Sequence, residues 1–238
     1  MVYKLPMGKL GAQKALVKNV PTSPWQTRDQ RTRARDEKRE AVLTTAATLF
    51  ATRGFHMTTL VDIATQLNIT KPALYHYFAS KDEILIECTH MGFVALEAAF
   101  ADAVEGGATG KEKLEAFMTW YAENMTTVFG ACFARVADQD LGAEAQKELH
   151  AAKRVVDRRL RQLVEMGIED DSLAKCDVKL AAFTVAGALS WIAHWYKQGG
   201  SFTPREAAEG VVKILVAGLQ GDAGPVAQRR TMSGSAKG

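Results

Sequence analysis

The side chains best able to do chemistry in this sequence fall into two groups, and only one of them is arranged. Five histidines (His56, His76, His90, His150, His194) and three cysteines (Cys88, Cys132, Cys176) are scattered along the chain. None belongs to an HExxH pair, a GxSxG elbow or a CxxC pair, and no glycine-rich phosphate loop is present. Cys88 and His90 stand two residues apart, a spacing that turns them to different sides of a helix. No catalytic residue, metal site or cofactor is therefore expected, and a helical enzyme is a remote reading. The second group lies in the stretch TTLVDIATQLNITKPALYHYFASK, residues 58–81. Here Thr70, Lys71, Pro72 and Ala73 are followed by Tyr75, His76 and Tyr77. An ammonium, two phenols and an imidazole beside a small residue suit hydrogen bonding to phosphates and to base edges in a major groove.

Presenting those groups together requires a rigid support. The spacing predicts two short helices, about 59–67 and 70–77, joined by a tight turn at Asn68, a residue type that tolerates the left-handed conformation. Ile63, Leu67, Leu74 and Phe78 form one apolar face, expected to pack on Val42, Ala46 and Phe50 of a preceding helix over 36–53. Helices of two turns do not hold themselves together, so this packing must do it. Thr59 with Asp62, and Ser80 with Glu83, have capping-box spacing, and Pro72 falls in a first turn where its missing N–H costs little. A long helix follows Ser80 and stops near Gly106–Gly107, and Gly54 offers a stop for the first.

The Leu74-Tyr75-His76-Tyr77-Phe78 run, with Thr70 before it and Lys81 after it, resembles the DNA-binding domain of the tetracycline-repressor (TetR) family. The likeness is close over about 38–90. It implies that Thr59 donates to a DNA phosphate and that Lys71, Pro72 and Ala73 face base edges. It implies further that Tyr75 and Tyr77 bond phosphates and that Lys81 grips the backbone from a helix start. The same residues at Thr59, Thr70 and Ser80 can serve as caps alone.

The rest of the chain reads as helices over 110–129, 131–139, 143–166, 175–198 and 203–219, the last with Thr203, Pro204 and Glu206 as a start signal. The predicted architecture is all-α: a three-helix helix-turn-helix domain over 36–82 and a larger effector-binding and dimerisation domain over 83–220. Helices 175–198 and 203–219 are rich in Ala181, Ala182, Ala186, Gly187, Ala207, Ala208, Ile214 and Gly218. A helix without a polar face is buried on all sides, which points to a homodimer interface. Phe117, Met118, Trp120, Tyr121, Met125, Phe129 and Phe133 either line an effector pocket or pack a core. Arg154, Arg158 and Arg161 share one helix face with Lys153 and Arg159 nearby, a cationic stripe or a solvated surface. The segment 187–206, with Trp191, Trp195-Tyr196, a glycine pair and Thr-Pro-x-Glu, is similar to TetR-type regulators of fatty-acid and steroid side-chain breakdown. That likeness implies an acyl-CoA effector, with Arg154 and Arg158 on its phosphates and Trp191 in the site.

Charge is uneven. Residues 1–35 carry +7 of a chain total of +3, so residues 36–238 sum to −4. A basic, flexible arm over 1–35, with the arginine-rich 28–39 segment tracking phosphates, fits a polyanion partner. A glycine- and serine-rich tail covers 221–238. The widely spaced cysteines fit a reducing cytoplasm, and the apolar run 180–193 is too short to cross a membrane. Together these imply a cytoplasmic, ligand-responsive repressor that binds a palindromic operator as a homodimer and is released by a small effector. The alternative effector is a hydrophobic, drug-like molecule acting on an efflux or stress gene.

Overall fold

In the computed structural model the described residues are 28–220, and all their regular structure is helical. The basic residues Lys4, Lys9, Lys14 and Lys18 and the tail 221–238 lie outside them. The chain divides into two units, residues 1–38 and 39–238. Of the first, the described part is the polar, largely exposed start of α1 (Arg28–Arg53), which therefore begins before the predicted residue 36.

In the second unit α1 continues to Gly54, whose φ of +90° closes the helix as only glycine does readily. α2 (Leu60–Gln66) and α3 (Lys71–Tyr75) follow, each opened by a threonine cap. Asn68 between them sits at φ +55°, the left-handed turn the sequence predicts. α4 (Lys81–Gly106) starts at the Ser80 cap and ends against Gly107. α5 (Gly110–Asn124), α6 (Val128–Arg135), α7 (Ala143–Glu169), α8 (Val178–Trp195) and α9 (Pro204–Gln220) complete the described chain. The Thr203–Glu206 pair caps α9 from both sides, with Thr203 N donating to Glu206 Oε2 at 2.8 Å and Glu206 N to Thr203 Oγ1 at 3.2 Å.

Two apolar clusters result. The first gathers Val42, Ala46, Phe50, Ile63, Leu74, Phe78, Ile84 and Leu85 from α1–α4, with Cys132, Val136 and Leu149 arriving from the far half of the sequence. The second is built by α5, α7, α8, α9 and the latter part of α4. α4 runs through both, so the expected division at residues 82–83 falls inside a continuous helix. Among the described residues α4 is also long and apolar enough to cross a membrane, although its Ile84, Leu85, Leu96 and Phe100 are buried in these clusters.

Candidate nucleic-acid interface

α3 is only five residues long, and its position is fixed by what it buries. Leu74 and Phe78 are 0% and 1% exposed against α1 and α4, while Lys71, Pro72, Tyr75 and His76 face solvent. Ala73 is half-buried at the start of this wet face, and its N–H donates to the Thr70 cap at 3.4 Å. Lys71 Nζ lies 5.7 Å from the Tyr75 ring centroid, which keeps cation and phenol on one side of the helix. Tyr77 is half-buried against the first core.

Three of the charged or hydroxyl groups near this face already have protein partners. Thr59 donates its hydroxyl proton to Asp62 Oδ2 at 2.6 Å and accepts from Asp62 N at 3.2 Å. It is thus a reciprocal cap in this structure rather than a donor free for phosphate. The Thr59 hydroxyl and its backbone N–H together hold the Asp62 carboxyl below its usual range. Lys81 does not point outward either. Its ammonium donates to the carbonyls of Phe55 at 2.9 Å and Thr58 at 3.4 Å and lies over the Phe55 ring. In this structure Lys81 fastens the loop before α2. Arg39, the end of the arginine-rich segment, likewise turns inward. It pairs with Glu87 at 3.0 Å, donates to the Tyr77 carbonyl at 3.1 Å and covers the Phe78 ring. It ties α1 to α3 and α4, a role that the sequence did not signal.

A separate cavity of about 40 Å³ lies between α4, α5, α6 and α7. Five of the expected effector residues line it: Trp120, Tyr121, Met125, Phe129 and Phe133. Thr89, Gly92, Phe93, Leu96 and Asn124 also line it, and sequence reasoning missed them because their helical spacing is that of any core face. Phe117 is fully buried among Phe100, Trp120 and Tyr121 and is core. Burial raises the Tyr121 hydroxyl, which shares a hydrogen bond with Ser190 at 3.1 Å. Cys88, also on the cavity wall, has its thiol pushed up to about 12 by burial, which removes thiolate chemistry there.

The remaining expected effector residues lie elsewhere. Ala152 and Val156 face the cavity from α7, so Arg154 and Arg158, two residues further on, sit on its other side and are exposed. Arg161 of the stripe pairs with Asp157, and the nearby Arg159 and Lys153 pair with Glu97 and Asp138. Trp191 is 62% exposed on α8 and stacks on His194.

α8 and α9 are not buried all round. Ala181, Ala182, Ala207 and Ala208 pack inward, whereas Leu180, Phe183, Trp191 and Ile214 are 56%, 50%, 62% and 74% exposed. Gly187, Gly210 and Gly218 stand among them, and an added Cβ at any of the three meets nothing within 4 Å. The outward side is an uncovered apolar stripe with room for close helix approach.

Comparisons with known proteins agree with this architecture. Residues 42–88 match the model of bacterial regulatory proteins of the tetR family, and residues 107–219 match a tetracyclin repressor-like C-terminal domain. The chain is 31% identical over 199 residues to the HTH-type transcriptional repressor KstR2 of Rhodococcus jostii, covering 79% of this chain and 94% of that one. Its fold superposes on the ketosteroid transcriptional regulator KstR2 of Mycobacterium tuberculosis with a TM-score of 0.71 at 24% identity, covering 78% of this chain and 96% of that one. It also superposes on AibR in complex with isovaleryl coenzyme A and operator DNA, with a TM-score of 0.66 at 25% identity over 75% and 98% of the two chains. With family matches over both halves and a relative 31% identical along most of its length, the chain belongs to the TetR family of bacterial transcriptional regulators and is not an enzyme.

Proposed function

We propose that this protein is a repressor that binds a palindromic operator as a homodimer and is released by a small effector, with acyl-CoA thioesters as the effector class. The observation that carries the DNA reading is the division of α3: Leu74 and Phe78 locked inside, Lys71, Pro72, Tyr75 and His76 outside. In this reading Lys71, Pro72 and Ala73 meet base edges, Tyr75 and His76 meet the duplex beside them, and Thr70 orients the helix by capping it. Tyr77 reaches a phosphate by its half-exposed edge. Two such helices must enter successive major grooves, roughly 34 Å apart. The bare stripe of Leu180, Phe183, Trp191 and Ile214 gives the second copy its seat.

The cavity supports the effector class. No lysine, arginine, aspartate or glutamate lines it. A cationic drug would lack a counter-charge there, whereas an acyl or sterol-like group needs none. Pockets for such ligands hold roughly 300–1,000 Å³, so the cavity must open around its occupant, with a charged head group remaining outside the apolar walls. Titrating palmitoyl-CoA and a cationic dye, side by side, into a complex of the protein with promoter DNA from its neighbouring genes tests this. Release by palmitoyl-CoA alone is expected. Release by the dye alone would overturn the effector class.

A further inference from the structure

α5 brings one carboxamide to a wall that is otherwise mostly apolar. Trp120, Tyr121, Asn124 and Met125 line the cavity at positions i, i+1, i+4 and i+5, a single side of the helix, so the Asn124 side chain stands on the cavity side. Tyr121 and Met125 are 3% and 1% exposed, whereas Asn124 is half-buried, which sets it at the margin of the cavity rather than at its floor.

The hydroxyls on the wall are already committed. Thr89 Oγ1 donates to the Leu85 carbonyl at 2.9 Å, which leaves it only lone pairs for a ligand. The Tyr121 hydroxyl shares its hydrogen bond with Ser190 of α8 at 3.1 Å. Asn124 differs. Its backbone carbonyl holds the corner after α5, accepting from Thr127 N at 3.0 Å and from Thr127 Oγ1 at 2.8 Å. Its carboxamide takes no part in that corner, and among the described residues none hydrogen-bonds it. Two N–H donors and a carbonyl oxygen therefore stand uncommitted beside apolar surface.

We infer that Asn124 is a specificity-determining residue of the cavity: its amide N–H donates to a neutral carbonyl oxygen, that of a thioester or a ketone, on an otherwise apolar occupant. The inference rests on the reading of the cavity as the effector site. A carboxylate would bring a charge that no lysine or arginine on the wall meets, and a plain hydrocarbon would leave the amide dry and unpaired. The margin suits a thioester for a second reason. Its carbonyl joins an apolar chain, which Phe93, Leu96, Phe129 and Phe133 accept, to a head group that stays in water.

The test compares two probes of one shape, 2-octanone and 2-methyl-1-octene, in which a methylidene group replaces the carbonyl oxygen. Binding of each to the full chain is read from its depletion in the headspace above the solution. Asn124→Leu removes the amide at similar volume, and Asn124→Asp keeps the shape but exchanges the donors for acceptors. Each variant will lower the ratio of ketone to alkene affinity by about tenfold, with helical content and unfolding temperature those of the parent. Asn124→Asp carries the comparison if Asn124→Leu does not fold. A ratio that shifts by less than about twofold in the folded variants, or a parent that binds neither probe, overturns the proposal. Failure of palmitoyl-CoA to release DNA, with the ketone ratio falling as expected, would refute the effector class and leave the carbonyl site standing.

Discussion

In the proposed reading, operator affinity turns on Lys71 and Tyr75. Both are exposed, and neither holds the fold. Lys71→Ala and Tyr75→Ala will each weaken operator binding by about 1–3 kcal/mol, measured by fluorescence anisotropy, while thermal unfolding stays that of the parent. A matching loss of unfolding temperature would mean that these residues pack rather than read DNA. The capping carboxylates make a pH prediction. Asp62, Glu112 and Glu206 are all held below their ordinary values by hydrogen bonds from the caps Thr59, Thr109 and Thr203. A carboxyl with a depressed folded value stabilises the fold above its unfolded value and loses that contribution as protons bind. Stability will therefore be level at neutral pH and fall from about pH 4 downward, and Glu112→Gln will shrink the fall in an acid titration followed by circular dichroism.

At the scale of elements, the turn and the buried side of α3 decide whether the wet face is presented at all. Asn68 sits at φ +55°, where a β-branched residue is strained. Asn68→Val will cost about 1–2 kcal/mol in urea unfolding, and Asn68→Gly will cost little. Leu74 is 0% exposed, so Leu74→Ala leaves a cavity under a helix of five residues. It will lower stability by about 2–5 kcal/mol and weaken operator binding as well, although its side chain never reaches solvent. The elements themselves were legible because their signals are local. Thr59–Asp62, Thr203–Glu206 and the Ile63–Leu74–Phe78 face all act over a few residues or one helix contact, and all three are present.

For the molecule as a whole, the decisive feature is the uncovered side of α8 and α9. Ile214 is 74% exposed and lies beside glycines with open space above them. An apolar stripe of this kind seeks a partner surface. Ile214→Glu will yield a monomer by sedimentation velocity with unchanged helical content, and it will abolish high-affinity binding to a two-half-site duplex. A dimer that survives Ile214→Glu and Phe183→Glu together would move the interface elsewhere.

By itself, the sequence determined most of the helices, the caps at Thr59, Thr70, Ser80 and Thr203, the left-handed turn at Asn68 and which side of α3 is dry, because periodicity and capping are decided by residues within one or two turns. It did not find the corner after Asn124: the helix expected over 110–129 ends there, and α6 starts at Val128 under the Thr127 cap. Tertiary structure alone decided where the long cations go. Lys81 finds its carbonyls 26 and 23 residues away and Arg135 finds one 84 residues away, distances over which spacing carries no information. The same holds for the aromatic set of α5 and α6, which packing sorts into core at Phe117 and cavity wall at Phe129 and Phe133. An apolar side chain reads the same in sequence whether its neighbour is another side chain or a void.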